Sequence, residues 1–265
     1  MKKMKRTLID KNQHTFPPLF KDLINSANVY DSSSSKDARV YFIDTGSGYY
    51  LKRSGHGALA KEAAMAQYFN TLGLSAPVLA YEPLRDDDWL LTERIHGEDC
   101  THEDYLSDPK RLAVRLGEEL RALHSVSFSN CPVQNRMESY FSLAESNYNS
   151  GNYDTSHFPD SFGYRSAEEA IEVMRDGREL LSGRVLLHGD FCLPNIILDG
   201  WRLSGYIDLG CGGVGDRHVD LFWGAWTLAF NLGTRKYEDI FFDAYGKDLI
   251  SEDALRVVAA AEVFG

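Results

Sequence analysis

The hydrophobic period of this chain shifts near residue 96 from mainly that of strands to mainly that of helices, and that shift restricts the fold more than any other feature. Before it, apolar residues alternate in short runs bounded by glycine and polar turns, the period of strands. After it they recur three or four apart over long stretches, the period of helices. Val40-Tyr-Phe-Ile-Asp44, the turn Thr45-Gly-Ser-Gly48 and Tyr49-Tyr-Leu-Lys-Arg53 read as a hairpin behind a polar loop at residues 31–37. Residues 57–72 suit a helix through Leu59, Ala63, Ala66 and Phe69, with Gly73 as its stop. Strands follow at residues 78–82 and 89–94, around a polar turn at residues 85–88. Residues 97–107 are polar and irregular, a linker into a helical part predicted at residues 111–126, 137–147, 166–181, 219–232, 237–245 and 252–263. A compact β-like block, residues 185–207, interrupts those helices, and residues 150–164 form a polar and aromatic loop. The expectation is a two-lobed α+β protein, with a small β-rich lobe over residues 1–96 and a larger helical lobe over residues 97–265.

Composition excludes several classes. With 265 residues and 43% apolar content the chain can bury a core without staples. Its four cysteines, Cys100, Cys131, Cys192 and Cys211, form no CxxC pair, which favours a reducing compartment over a disulfide framework. The basic start, residues 1–7, leads into Asp10-Lys11-Asn12 rather than an apolar segment, so no secretory signal is read. The longest apolar stretch, near residues 221–232, is about half of what a bilayer span needs. A cytoplasmic protein without membrane contact is expected. The formal net charge of −11 repels nucleic acid and attracts cations, polyamine-like molecules included, although it also serves solubility.

The chemistry concentrates in Leu187-His-Gly-Asp-Phe-Cys-Leu-Pro-Asn195 and, soon after, Ser204-Gly-Tyr-Ile-Asp-Leu-Gly210. Phosphoryl transfer needs a carboxylate to orient an acceptor hydroxyl and hard oxygen ligands for magnesium. Asp190 fits the first role; Asn195 and Asp208 fit the second, in the order used by the catalytic loop and metal-binding Asp of protein kinases. An isolated Asp with an Asn five residues on means little; the joint pattern between apolar strands is specific. Under a purely structural reading, Asp190 and Asp208 cap turns, which leaves Asn195 unexplained. In the first lobe, Lys52 ends an apolar strand and Glu62 sits on the next helix, the arrangement of a phosphate-binding lysine and its carboxylate partner. Alone, each is an ordinary surface charge.

With these residues in view, the sequence resembles the aminoglycoside phosphotransferases, most closely their 3′-phosphotransferase branch. The matching pieces are Tyr50-Leu-Lys52, Glu62, His188 to Asn195, Leu203 to Gly210, Gly215-Asp-Arg217 with Asp220, and Glu262-Val-Phe264, which cover nearly the whole chain. The resemblance implies a protein-kinase-like fold and phosphate transfer from ATP, or GTP, to an aminoglycoside hydroxyl, with antibiotic resistance as the outcome. It implies Asp190 as base, Lys52 on the nucleotide phosphates, Tyr50 near the adenine, and backbone contacts to the base from Glu93 to Ile95. The loop Ser32 to Asp37 would cover the phosphates, and Asn195 and Asp208 would hold Mg2+. A monomer or weak dimer is expected. His188 is a second candidate base, since imidazole titrates near neutrality, but in this family the matching histidine orients the loop. His188, Cys192, Cys211 and His218 have no standard zinc spacing.

The resemblance thins at the acceptor end. Aminoglycosides carry several ammonium groups, so carboxylates are expected around them. Ala261-Glu262 stands where the family usually has an acidic pair, Cys211 where an arginine is usual, and the helix Trp226 to Leu232 carries no acid. Glu262, Asp160 and Asp154 remain the candidates for binding substrate amines, each with a solvated surface acid as the plain reading. Trp223, Trp226 and Phe230 suit one buried helix face, or a more hydrophobic acceptor. Two further readings stand beside the first: a kinase of the same fold acting on choline, homoserine or a macrolide, and a nucleotide-binding protein without catalysis. The complete set of Lys52, Glu62, Asp190, Asn195 and Asp208 speaks against the last.

Overall fold

Strand alternation builds the first half of the chain. In the computed structural model, which describes residues 6–34, 38–154 and 163–265, the sheet strands are β1 (Thr7–Leu8), β2 (Asn28–Asp31), β3 (Arg39–Asp44), β4 (Tyr49–Gly55), β5 (Val78–Pro83) and β6 (Asp87–Glu93). They form one antiparallel sheet in the order β1-β2-β3-β4-β6-β5. Val29, Tyr41, Ile43, Leu51, Trp89 and Leu91 pack on one face with Phe16, Phe20 and Ile24, the last two at and within α1 (Lys21–Asn25). Because successive strand residues point to opposite faces, a buried Leu51 sends Lys52 to the other side. That side carries α2 (Ala60–Thr71), which packs Leu59 and Ala63 against Leu90.

Helix α2 has no cap from its own flank; Asp88 of β6 supplies one, accepting the Leu59 N–H at 3.1 Å and the Tyr81 hydroxyl at 2.8 Å. Asp88, expected in a turn, is fully buried for this reason. Gly73 ends the helix with φ +72°, a conformation glycine adopts without penalty.

The chain divides into two compact units: residues 1–102 with 196–210, and residues 103–195 with 211–265. The supposed linker is partly ordered, as β7 (Glu98–Asp99) and α3 (Glu103–Leu106). The second unit then builds on α4 (Pro109–His124), α5 (Arg136–Ser150), α6 (Ala167–Gly177) and β8 (Val185–Leu187). On α4, Leu112, Leu116, Leu120 and Leu123 are buried along one stripe, and Asp108 caps it through the Arg111 N–H.

Next, β9 (Ile196–Asp199) and β10 (Arg202–Tyr206) form a hairpin whose β9 pairs with β7. This hairpin packs with the first unit, so the expected single break at residue 96 is replaced by a chain that returns. Gly97 permits the close approach: at φ +116°, an added Cβ would lie 2.3 Å from the Leu198 carbonyl oxygen. The second unit resumes with β11 (Gly213–Gly215), which pairs with β8, then α7 (His218–Leu232), α8 (Glu238–Tyr245) and α9 (Glu252–Glu262). Its core gathers Phe141, Ile171, Met174, Leu187 and Val258 from α5, α6, β8 and α9, with Phe264 from the residues after α9. No helix among the described residues is long and apolar enough to cross a membrane.

Candidate active site

In the first unit, β4 and α2 bring Lys52 and Glu62 face to face. The Lys52 Nζ donates to both Glu62 carboxylate oxygens, at 3.0 and 2.8 Å, and to the Asp208 Oδ1 at 2.6 Å. Burial opposes the lysine's charge, yet the two carboxylates outweigh it and hold the ammonium above its ordinary range. Asp208 follows β10 and adopts φ +61°, a left-handed conformation that costs a non-glycine residue about 1 kcal/mol. The turn aims a half-exposed carboxylate at Lys52, so this strain has a visible purpose. Gly210 lies against Glu62, with room for an added Cβ at 3.6 Å, so that glycine is not required by space.

Tyr50 lies on β4, one turn of the pleat from Lys52, and its hydroxyl accepts a hydrogen bond from Arg6 at 2.8 Å. The same guanidinium stacks over Phe42, 3.7 Å from the ring centre. At the end of β6, the Glu93 N–H is spent on the Pro77 carbonyl and the Arg94 N–H on the Gly48 carbonyl. Of the three connector amides, that of Ile95 has no backbone partner among the described residues. Residues 35–37 of the loop expected over the phosphates lie outside the described residues.

In the second unit, β8 delivers the loop that carries Asp190. His188 is wholly buried, and its Nδ1 accepts the Asp190 N–H at 3.3 Å, the geometry of a residue that holds the loop. Gly189 has φ +84°, and an added Cβ would sit 2.0 Å from the Cys211 carbonyl oxygen, so only glycine fits. The loop is fixed by Asp220 of α7, fully buried, which accepts the His188 N–H at 2.8 Å and the Gly189 N–H at 2.7 Å. The His124 Nε2 approaches the same Asp220 at 3.1 Å, and its Nδ1 meets the Tyr245 hydroxyl at 2.9 Å. Sequence reading matched Asp220 to a motif but gave it no task; an apolar helix with one acid in its first turn was the available signal.

Asn195 is buried and donates its amide N–H groups to the Asp190 carbonyl at 3.0 Å and to Asp190 Oδ2 at 2.8 Å. Its amide oxygen is thereby left as a hard donor. The Cys192 thiol is pushed far up by burial and by the charge of Asp190, so it stays protonated and is no nucleophile.

Glu262, at the end of α9, accepts from the Tyr140 hydroxyl at 2.8 Å and from the Trp223 side chain. Burial lifts its carboxyl to about 7; Tyr140, Trp223 and Arg136 pull it down, and Asp190 pushes it up. Asp154 is exposed in the segment after α5, next to Tyr153, which packs edge-on against Phe264. Asp160 lies outside the described residues. Trp223, Trp226 and Phe230 do not all share a buried face: Trp223 packs against the core of the second unit, as the helix-core reading expects, whereas Phe230 is 56% exposed and departs from it.

The structure therefore assembles Lys52, Glu62 and Asp208 in one unit, and in the other Asp190 with Asn195, and Glu262 with Tyr140 and Trp223. A family profile described as the phosphotransferase enzyme family matches residues 32–259. A probable aminoglycoside 3′-phosphotransferase of Lactococcus lactis is 46% identical over 256 residues, covering 96% of this chain and 97% of the relative. An aminoglycoside 3′-phosphotransferase of Niallia circulans is 30% identical over 177 residues, 67% of each chain. Among solved structures, an aminoglycoside 3′-phosphotransferase of type VIII superposes with a TM-score of 0.77 at 21% identity, covering 94% of this chain and all of that one. A Streptomyces rimosus aminoglycoside phosphotransferase, solved with ADP and streptomycin, superposes with a TM-score of 0.75 at 21% identity over 97% of this chain and 99% of its own. At such identities these two likenesses are likenesses of fold.

Proposed function

We propose that this chain, which belongs to the phosphotransferase enzyme family on its aminoglycoside 3′-phosphotransferase branch, transfers the γ-phosphate of ATP to a hydroxyl of an aminoglycoside and so confers resistance. The observation that carries the reading is the 46% identity over nearly the whole chain, joined to a complete set of phosphotransfer side chains. GTP is the alternative donor. The reading makes this a cytoplasmic enzyme, acting as a monomer or weak dimer.

In this mechanism Lys52 contacts the nucleotide phosphates, and Glu62 keeps its ammonium in place through both carboxylate oxygens. Tyr50 packs beside the adenine, and the Ile95 amide serves as a donor to it. Asn195 occupies Asp190 Oδ2, so Oδ1 is the atom assigned to the acceptor hydroxyl. The hydroxyl oxygen forms the new bond to the γ-phosphorus, the bond to the bridging oxygen breaks, ADP leaves, and the hydroxyl proton passes to Asp190. Magnesium would be held by the Asp208 carboxylate and the Asn195 amide oxygen. The donor chemistry fits, because magnesium takes one or two protein oxygens and completes its shell with phosphates and water. When bound, magnesium neutralises charge on the phosphates. Glu262 receives an ammonium of the acceptor, and Asp154 and Asp160 assist from the segment after α5.

The test is ADP release in a coupled assay, with kanamycin-like and neomycin-like acceptors beside choline, homoserine and a macrolide. Turnover of amino sugars with the others inert is expected. Turnover of one of the others, with every amino sugar inert, sinks the substrate assignment and leaves the kinase chemistry standing.

A further inference from the structure

Helix α7 carries an aromatic ladder that the phosphotransfer machinery does not use. Trp223, Trp226 and Phe230 follow one another at spacings of three and four residues, one stripe of the helix. Trp223 and Trp226 meet edge-on with ring centres 5.4 Å apart; Trp226 and Phe230 stack at 5.0 Å with planes 10° apart. The ladder ends in solvent, where Phe230 is 56% exposed. A large aromatic that stacks on its neighbour yet stays in water is a poor core residue and a good contact surface.

Its inner end gives the direction. Trp223 bonds to the carboxylate of Glu262. Thr227, on the same helix, ties α7 to the Asp190 loop: its Oγ1 accepts the Leu193 N–H at 3.4 Å, and the Cys192 thiol bonds both Thr227 and Asp190. The stripe thus starts at a carboxylate beside the catalytic loop and runs outward as an apolar face, on a helix with no acid beyond Asp220. A molecule that suits an anion at one end and a flat π surface beyond it has an ammonium group and a broad C–H face. Aminated sugar rings have both, and their ammonium groups also gain from the faces of tryptophan and phenylalanine.

We propose that Trp226 and Phe230 are specificity-determining residues: a platform on which a ring of the amino-sugar acceptor lies, with one amine directed to Glu262. This rests on the aminoglycoside reading and deepens it, since cation recognition on α7 then passes from carboxylates to aromatic faces.

Steady-state kinetics of Phe230→Ala, Trp226→Ala and Trp226→Phe, with Leu143→Ala as an exposed apolar control on α5, test it. Each alanine variant should raise the acceptor KM about tenfold, the scale of a lost aromatic contact. The kcat and the ATP KM should stay within about twofold, because the Asp190 loop and Lys52 are untouched. Trp226→Phe should restore most of the affinity, and Leu143→Ala should match wild type. Phe230 is exposed, so its variant folds. An unchanged acceptor KM in Phe230→Ala and Trp226→Ala overturns the platform while wild-type turnover keeps the aminoglycoside reading. Wild type inert toward every amino sugar overturns both. A wild-type dimer that Phe230→Ala converts to monomer, with KM unchanged, assigns the ladder to a second copy and also overturns the proposal.

Discussion

Replacing Glu262 by glutamine should abolish a pH dependence that wild type carries in its acceptor KM. Burial is the main reason the Glu262 carboxyl sits near 7 rather than 4.5, and the charge of Asp190 adds to it; Tyr140, Trp223 and Arg136 act against them. With that value, about one molecule in ten is ionised at pH 6 and about nine in ten at pH 8. An ammonium on the acceptor binds the ionised form, so KM should fall about tenfold across this range, with a smaller change in kcat. The amines of the acceptor titrate too, but glutamine leaves their contribution untouched; the ratio of wild-type to Glu262→Gln KM isolates the carboxylate. Stability moves the other way. A folded pKa above the unfolded one means that the native state holds the proton more tightly. The protonated carboxyl therefore contributes most below pH 4.5, and the benefit is lost as pH rises through about 7. The shift corresponds to at most about 3 to 4 kcal/mol at roughly 1.4 kcal/mol per unit. Glu262→Gln, neutral throughout, should then melt higher than wild type at pH 8 and close to it at pH 5. The measurements are initial rates at saturating ATP from pH 6 to 8, and melting curves from pH 5 to 8. A wild-type to variant KM ratio that stays constant with pH would refute the reasoning.

Asp190→Ala should reduce turnover by at least about a thousandfold while ATP affinity, read by calorimetry, changes little, because Asp190 is assigned to the hydroxyl rather than to the nucleotide. Lys52→Ala should raise the ATP KM by more than about tenfold and leave the acceptor KM near wild type, a split visible in two-substrate kinetics. Gly189→Ala forces a Cβ to within 2.0 Å of the Cys211 carbonyl oxygen, so the loop must shift; a loss of several kcal/mol is expected, read as a fall in Tm together with lost activity. A variant that melts like wild type counts against the tight loop.

Much of this was legible because local pattern decided it. Alternation in Tyr49-Tyr-Leu-Lys52 sends Leu51 to the core and Lys52 to the opposite face, and helical spacing puts Glu62 within reach. The spacing of Asp190 and Asn195 is a loop length, which sequence states directly. Features decided at a distance were hidden. The two residues of β7 exist only because β9 pairs with them, and the return of the 196–206 hairpin to the first unit is a matter of long-range contact. The five residues of α1 and the four of β2 are too short for a period to show. The burial of Asp88 depends on a helix N-terminus that has no cap of its own, which a run of three aspartates reads as a turn. The spacing of Trp223, Trp226 and Phe230 suits one buried helix face, but periodicity cannot say what lies opposite each position: Trp223 packs against the core, whereas Phe230 stands in solvent.

These differences fall unevenly over the two ends of the reaction, for a physical reason. The loop of Asp190 is held through main-chain groups: Asp220 takes the amides of His188 and Gly189, His188 takes that of Asp190, and Gly189 fits by having no side chain. A geometry fixed in this way tolerates few residue types, so it leaves a rigid spelling in the sequence. Acceptor recognition has no such constraint. An ammonium is satisfied by any carboxylate or aromatic face that reaches it, from any element. Glu262 on α9 and the ladder on α7 are one solution among many, written in residues that sequence also uses for cores and surfaces. Hence variants of Asp190 and Gly189 should cost activity toward every acceptor alike. Variants of Glu262, Trp226 and Phe230 should instead re-rank the acceptors, with kcat for the best of them preserved. A panel in which both groups of variants scaled all acceptors equally would show that the two ends are not separable in this way.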